Sequence, residues 1–161
     1  HEIHMAIELA GKPQEVVGMK SDSASLDIEK NIDIISDIMI RHKSGCVSQI
    51  HLDYIQNPFH RSGLITFEKG WISYDFTTQQ LLAQKFDDKA PIVLWNDKNY
   101  DANDMYVKQL KCFIEYVEEG RVKHQHDIDC GIESLWIVEA YFNSEKEKKI
   151  INNSKKYRFE F

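Results

Sequence analysis

The sequence predicts an α+β fold: one large, mainly antiparallel β-sheet with helices packed on one face. Three observations predict it. Apolar residues recur with a period of two through the stretch from about Gln14 to Leu94, broken by turn signals at short intervals. After Asn99 the period lengthens to that of a helix. Connections between the strand-like segments are short, and parallel neighbours would need crossovers of roughly a dozen residues or more.

The chain opens with His1-Glu2-Ile3-His4-Met5-Ala6-Ile7-Glu8-Leu9-Ala10-Gly11, which reads as a short helix closed by a glycine. A start at His1, inside an element, carries the expectation that something precedes it. Strand territory follows. From Ile28 to Ile40 the even positions Ile28, Ile32, Ile34, Ile38 and Ile40 are apolar, while Asp33, Asp37 and Arg41 fall on the odd face. A helical reading through Ile28, Ile32, Ile35 and Met39 stays open. Isoleucine, stiff at its first torsion, favours the pleated surface, and Ser44-Gly45 then supplies a turn.

The next strand runs from Cys46 to Gln56, with Ile50, Leu52 and Tyr54 on one face and Gln49, His51 and Asp53 on the other, so the pair makes an antiparallel hairpin. Turn signals at Asn57-Pro58, Lys69-Gly70 and Lys89-Ala90-Pro91 mark further segments near Gly63 to Glu68, Trp71 to Thr77, Gln79 to Phe86 and Ile92 to Trp95. A helix then carries Tyr106, Leu110, Phe113 and Val117 on one stripe and stops at Glu119-Gly120. A second helix, with Asp127 as its N-cap, aligns Ile128, Ile132, Leu135, Val138 and Phe142. Both stripes need an apolar surface to cover, since burying each such side chain is worth roughly 1.5 to 3 kcal/mol. Lys146 to Lys149 and Asn152 to Lys156 read as a solvated helix end and connector, and Tyr157-Arg158-Phe159 as a last edge strand or tail.

A length of 161 residues, 42% of them hydrophobic, suits one buried core, so residues 1–161 are expected to form a single domain. A net charge of -6 with dispersed lysines and arginines lacks the footprint that nucleic acid requires. Cys46, Cys112 and Cys130 form no Cys-x-x-Cys pair, which argues against a disulfide framework or a thiolate zinc site; they are expected to be reduced thiols packed as small hydrophobes. No apolar run approaches the ~20 residues that span a bilayer, so no membrane partner is expected and the protein is expected to be soluble and cytoplasmic.

Residues Ile50 to Arg61 are the most suggestive stretch, because a sheet face presenting His51 and Asp53 together could hold a substrate. The plainer reading is a polar outer face. Trp71, Tyr74 and Phe76 read as core or interface aromatics before they read as ligand platforms. His124-Gln125-His126-Asp127 has metal-binding residue types but lacks a clear third ligand elsewhere, so no metal is expected.

Several of these pieces, in this order, resemble one family. Gly45 to Phe76, from Gly-Cys-Val-Ser-Gln-Ile-His-Leu-Asp-Tyr-Ile-Gln-Asn-Pro-Phe-His-Arg through Thr66-Phe67-Glu68-Lys69-Gly70-Trp71-Ile72, is similar to the substrate-side domain of the glucose-fructose oxidoreductase, inositol dehydrogenase and MocA (Gfo/Idh/MocA) family. His1-Glu2-Ile3-His4 with Leu9-Ala10-Gly11-Lys12-Pro13 resembles its His-Glu-Ile-Asp helix and glycine exit. Met105-Tyr106 to Gly120 and Gly131-Ile132-Glu133-Ser134-Leu135 resemble its last two helices.

The resemblance implies an NAD(P)-dependent oxidoreductase of two domains, of which this chain is the C-terminal, substrate-binding and oligomerising half. It implies a sugar, sugar acid, nucleotide sugar or cyclitol as substrate, and NAD or NADP as cofactor of the full-length protein. The family's Gly-x-Gly-x-x-Gly fingerprint and its Glu-Lys-Pro segment are missing here, so this chain alone is expected to bind no cofactor and to be inactive. His1 matches the family's histidine, and His4 stands where the family usually has Asp; both are catalytic candidates. His51, Asp53, Tyr54, Asn57 and Arg61 are the candidates for binding substrate hydroxyls. The alternative, from a different class, is a non-catalytic assembly module whose open sheet face pairs with a copy of itself.

Overall fold

The computed structural model describes residues 1–22, 32–97, 99–120 and 128–153. In chain order the elements are α1 (Glu2–Ala10), β1 (Pro13–Asp22), β2 (Asp33–His42), β3 (Val47–Asp53), β4 (Ser62–Phe67), β5 (Gly70–Asp75), β6 (Gln80–Lys85), β7 (Ile92–Asn96), α2 (Ala102–Glu118), α3 (Ile128–Glu147) and β8 (Ile151–Asn152). The class is α+β, as the periodicities predict. The strands divide, however, into two four-stranded sheets rather than one, β3-β2-β1-β8 and β4-β5-β6-β7. The chain correspondingly forms two compact units, residues 1–55 with 123–161, and residues 56–122.

In the first unit the even positions of β2 turn inward: Ile34, Ile38 and Ile40 are buried, and Ile38 stands opposite Ile50 of the antiparallel β3. Asp33, Asp37 and Arg41 take the opposite face. The N-terminal part of the predicted strand, including Ile28, lies outside the described residues. Ile7 of α1 and Trp136, Ile137, Ala140 and Tyr141 of α3 join Val16, Ile38, Ile40 and Ile50 in one core. Both helices therefore cover the same face of this sheet.

The stripe that α3 buries differs from the expected one. Ile128, Leu135 and Phe142 are exposed, whereas Trp136, Ile137, Ala140, Tyr141 and Ser144 are buried. The physical reason is close approach: Gly18 of β1 has no side chain, and a Cβ there would sit 2.2 Å from Cδ2 of Tyr141. Small residues on the helix, Ala140 and Ser144, serve the same approach. The Gly18 N–H donates to Ser144 Oγ at 3.1 Å, and that hydroxyl donates to the Lys149 carbonyl at 2.7 Å. A reading weighted to large apolar residues passes over such positions. The proposed N-cap Asp127 and Tyr157-Arg158-Phe159 lie outside the described residues. The edge strand next to β1 is Ile151–Asn152, so Asn152, expected to open a connector, is instead paired with Glu15.

Tyr141 donates its hydroxyl to Ser36 Oγ at 2.8 Å. Burial holds the phenol above its ordinary pKa, the Ser36 bond opposes that shift, and the nearby Asp33 charge adds to it. A raised phenol pKa contributes stability that is present below the unfolded value of about 10 and is lost as pH climbs through the folded value. Tyr141→Phe is therefore expected to cost about 1 kcal/mol at neutral pH and to flatten the loss of stability above about pH 10. Urea midpoints across that range check it; equal alkaline slopes in both proteins would contradict it.

In the second unit the β4-β5 register Ser62↔Asp75 and Leu64↔Ser73 continues into β6 as Asp75↔Gln80 and Ser73↔Leu82. These six residues share one sheet face. The opposite face carries Gly63, Ile65, Ile72, Tyr74, Leu81 and Ala83. Helix α2 begins at Asp101, whose carboxylate accepts the Asn103 N–H at 2.8 Å, and ends before Gly120 at φ +62°. Its predicted stripe exists as a pattern but is not buried: Tyr106, Leu110, Phe113 and Val117 are all exposed. The cysteines also depart from expectation. Cys46, Cys112 and Cys130 are free thiols, but the first two are exposed and the third half-buried, so none packs as a core hydrophobe.

Candidate functional site

The outer face of the β2-β3 hairpin carries the polar group that the alternation of β3 announced. Asp37 and His51 are direct cross-strand partners, and Asp53 pairs with Ile35 two positions along. His51 Nδ1 stands 2.8 Å from Asp37 Oδ1, and its Nε2 stands 4.0 Å from Asp53 Oδ2. Asp53 also accepts the Ile55 N–H through Oδ1 at 2.8 Å, which shapes the strand exit. With Nδ1–H donated to Asp37, the imidazole presents Nε2 between solvent and Asp53. A half-exposed pair of this kind contributes little to stability, about 0 to 1 kcal/mol, so it is available for recognition. Tyr54 follows, largely exposed. Asp37 was legible as an odd-face residue but had no assigned role.

On the other face of the same sheet, α1 places His1 at its N-cap, without a side-chain cap bond, and His4 one turn on. His4 Nε2 lies 4.0 Å from Glu8 Oε1, one further turn along the same helix face, and Cys130 Sγ lies 3.8 Å from the same carboxylate oxygen. Ile7 of α1 packs on Ile50, whose neighbour His51 points the opposite way. The sheet therefore stands between His1 and His4 on one side and His51 and Asp53 on the other. Asn57 and Arg61 belong to the second unit. There the Arg61 guanidinium lies 4.6 Å from the centroid of the Phe76 ring, a cation–π geometry, and Tyr74 meets Phe76 edge to face at 5.5 Å.

One histidine escaped the sequence reading. His42 is fully buried, with Nδ1 2.6 Å from the Gly11 carbonyl and Nε2 2.9 Å from Ser48 Oγ. A carbonyl only accepts, so Nδ1 carries a proton, and Nε2 meets the Ser48 hydroxyl, which both donates and accepts. The signal was present, since His42 continues the buried even series Ile34, Ile38, Ile40. Together with Lys43 N–H to the Lys12 carbonyl at 2.9 Å and Ser44 Oγ–H to the Ala10 carbonyl at 2.6 Å, it ties the exit of α1 to the β2-β3 turn. A salt bridge from Lys12 to Glu133 at 2.9 Å, whose hydrogen bond and charge raise the Lys12 pKa, joins that exit to α3. This network fixes where α1 presents His1 and His4.

The histidine group at residues 124–127 lies outside the described residues. Among the described residues no cluster of three His, Cys, Asp or Glu side chains is placed to hold a metal ion. No described helix is long and apolar enough to cross a membrane.

No protein-family model matches the sequence, and no curated protein matches it. Solved structures do match. An aldose-aldose oxidoreductase from Caulobacter crescentus, complexed with glycerol, superposes with a TM-score of 0.78 at 20% identity, over 93% of this chain and 44% of that one. Levoglucosan dehydrogenase in complex with NADH and levoglucosan gives 0.82 at 16%, over 95% and 48%. An NAD-binding oxidoreductase from Klebsiella pneumoniae gives 0.77 at 14%, over 97% and 49%. The chain has the fold of one half of these oxidoreductases. The chain spans about half the length of the proteins it matches.

Proposed function

We propose that this chain is the substrate-side domain of an NAD(P)-dependent oxidoreductase acting in the cytoplasm on a sugar, sugar acid, nucleotide sugar or cyclitol. The observation that carries the reading is the superposition of 93% and 95% of the chain on a little under half of two oxidoreductases, one complexed with glycerol and the other with NADH and levoglucosan. Both sheets are antiparallel, and no two of the seven glycines stand two apart, so the Gly-x-Gly turn between strand and helix that cradles a pyrophosphate has no counterpart. NAD or NADP would belong to another part of the parent protein.

What this chain would supply is hydroxyl recognition and a proton acceptor. Oxidising an alcohol requires a base for the hydroxyl proton, and an imidazole suits that role near neutral pH. His1 is the proposed base. His4, with Glu8 behind it, is proposed to hold the same hydroxyl or its neighbour. His51 and Asp53 lie across the sheet from α1 and, with Tyr54 after them, are proposed as a separate hydroxyl-binding group rather than as contacts to the substrate that His1 and His4 would hold. The protein encoded by the complete reading frame, given NAD or NADP and a panel of aldoses, aldonic acids, nucleotide sugars and cyclitols, should show polyol-dependent reduction of the nicotinamide. No reduction with any of them would overturn the reading.

Self-association is proposed as well, because the second unit exposes Phe67, Ile92, Val93, Leu94 and Trp95. The same exposure is what favours the second reading, a non-catalytic assembly module. A monomeric mass in light scattering at micromolar concentration would contradict both.

A further inference from the structure

The second unit contains a cleft that none of the roles above uses. On the β4-β5-β6 face, Ser62, Asp75 and Gln80 form one cross-strand row and Leu64, Ser73 and Leu82 the next. Together with His60 and Thr78 at one end they line a concavity of about 360 Å³. Small-ligand pockets run from roughly 300 to 1,000 Å³, so the volume suits a ligand of one ring rather than a dinucleotide. On the opposite face of the sheet Gly63 leaves room for the Tyr74 ring, since a Cβ there would sit 2.2 Å from the Tyr74 hydroxyl.

The chemistry of the lining narrows the ligand. Asp75 accepts the Thr77 and Thr78 N–H groups through Oδ1 at 2.7 and 3.1 Å. Partial burial works toward protonation, yet those bonds, the Thr78 hydroxyl and nearby His60 outweigh it and hold the carboxyl below its usual range. A fixed carboxylate repels anions, and no lysine or arginine lines the cleft. Ser62 Oγ and His60 Nε2, 2.7 Å apart, together with Ser73 and Gln80, give convergent groups that both donate and accept. Leu64 and Leu82 give the row beside them an apolar floor. Alternating donors and acceptors above an apolar floor complement a ring with hydroxyls at its edge and C–H groups on its face.

We infer that this β4-β5-β6 cleft is a binding site for an uncharged polyhydroxylated ring of about monosaccharide size. The inference stands on the lining of the cleft and not on the oxidoreductase reading. Asp75 accepts from vicinal hydroxyls, Gln80 and Ser73 bond the next positions, and Leu64 with Leu82 receives the apolar face.

Amide-resolved NMR titration of the protein with D-glucose, myo-inositol and inorganic phosphate tests it. Saturable shifts confined to β4, β5 and β6 are expected with a neutral ring and none there with phosphate. Gln80→Ala and Asp75→Asn are each expected to weaken binding about tenfold, the value of one lost hydrogen bond to a ring hydroxyl. Leu82→Trp, which fills the cleft without touching its polar row, should abolish it. The inference is overturned if neither ring gives saturable shifts on these strands, if phosphate binds there instead, or if binding survives all three substitutions. Ring binding in a protein that never reduces nicotinamide would sink the proposed function and leave the cleft standing. Reduction without ring binding at these strands would do the reverse.

Discussion

Gly18→Ala is expected to destabilise the first unit by roughly 1 to 3 kcal/mol, although alanine normally improves a strand over glycine. The added Cβ would sit 2.2 Å from Cδ2 and 2.9 Å from Cε2 of Tyr141, closer than any real contact. Tyr141 has little room to yield, because its ring is part of the core with Ile38, Ile40 and Ile137 and its hydroxyl is bonded to Ser36. The strand cannot retreat easily either, since β1 is paired to β2 on one side and β8 on the other, and its Gly18 N–H is held by Ser144. A double-mutant cycle separates this steric account from a general intolerance of the site. In a Tyr141→Ala background, Gly18→Ala should cost nothing or gain a few tenths of a kcal/mol, giving a coupling of at least about 1 kcal/mol. Equal costs in both backgrounds, read from urea midpoints, would refute the Tyr141 contact as the cause.

That contact also shows what the sequence could and could not convey. The alternation of Ile34, Ile38 and Ile40 against Asp33, Asp37 and Arg41 is local, so the face of β2 was legible. So were the hairpin to β3 and the positions of β4 to β7, because turn chemistry and period two are both short-range signals. The buried stripe of α3 was not. It is set by a glycine more than a hundred residues away, and it selects Ala140 and Ser144, which carry no hydrophobic signal of their own. The partition into two sheets was equally hidden, since hydrogen-bond pairing between strands is not encoded in the strands' own periods. For the site, His51 and Asp53 were legible as a polar face, yet the partner Asp37 became evident only through cross-strand register. His42 was passed over because a histidine in an isoleucine series looks like a strand end. Its burial depends on Gly11 and Ser48 meeting its two ring nitrogens.

The largest effect is expected at the chain's first residue, in the full-length parent protein. His1→Ala there should lower turnover by roughly 10²- to 10⁴-fold, the usual worth of a positioned general base. It should leave the unfolding midpoint nearly unchanged, because the His1 side chain makes no cap bond and is almost fully exposed in this unit. That separation of activity from stability is the signature sought, and a merely structural helix end would not give it. His4 offers a second and opposite lever. It occupies the position where the resembling family usually carries Asp, and its present partner is Glu8 at 4.0 Å. If its task is to bond a substrate hydroxyl, His4→Asp should keep turnover within about tenfold, whereas His4→Ala should raise KM or lower kcat by about the tenfold to hundredfold that one lost polar contact is worth. The pH profile distinguishes the two histidines. Loss of the base at His1 should remove the acid limb of kcat/KM, while loss of His4 should lower the whole profile without reshaping it. Unchanged turnover in both alanine variants would remove α1 from the site. With α1 gone, the outer-face group Asp37, His51 and Asp53 would be left as the first unit's proton-accepting chemistry, and His51→Ala in the same assay would then carry the test.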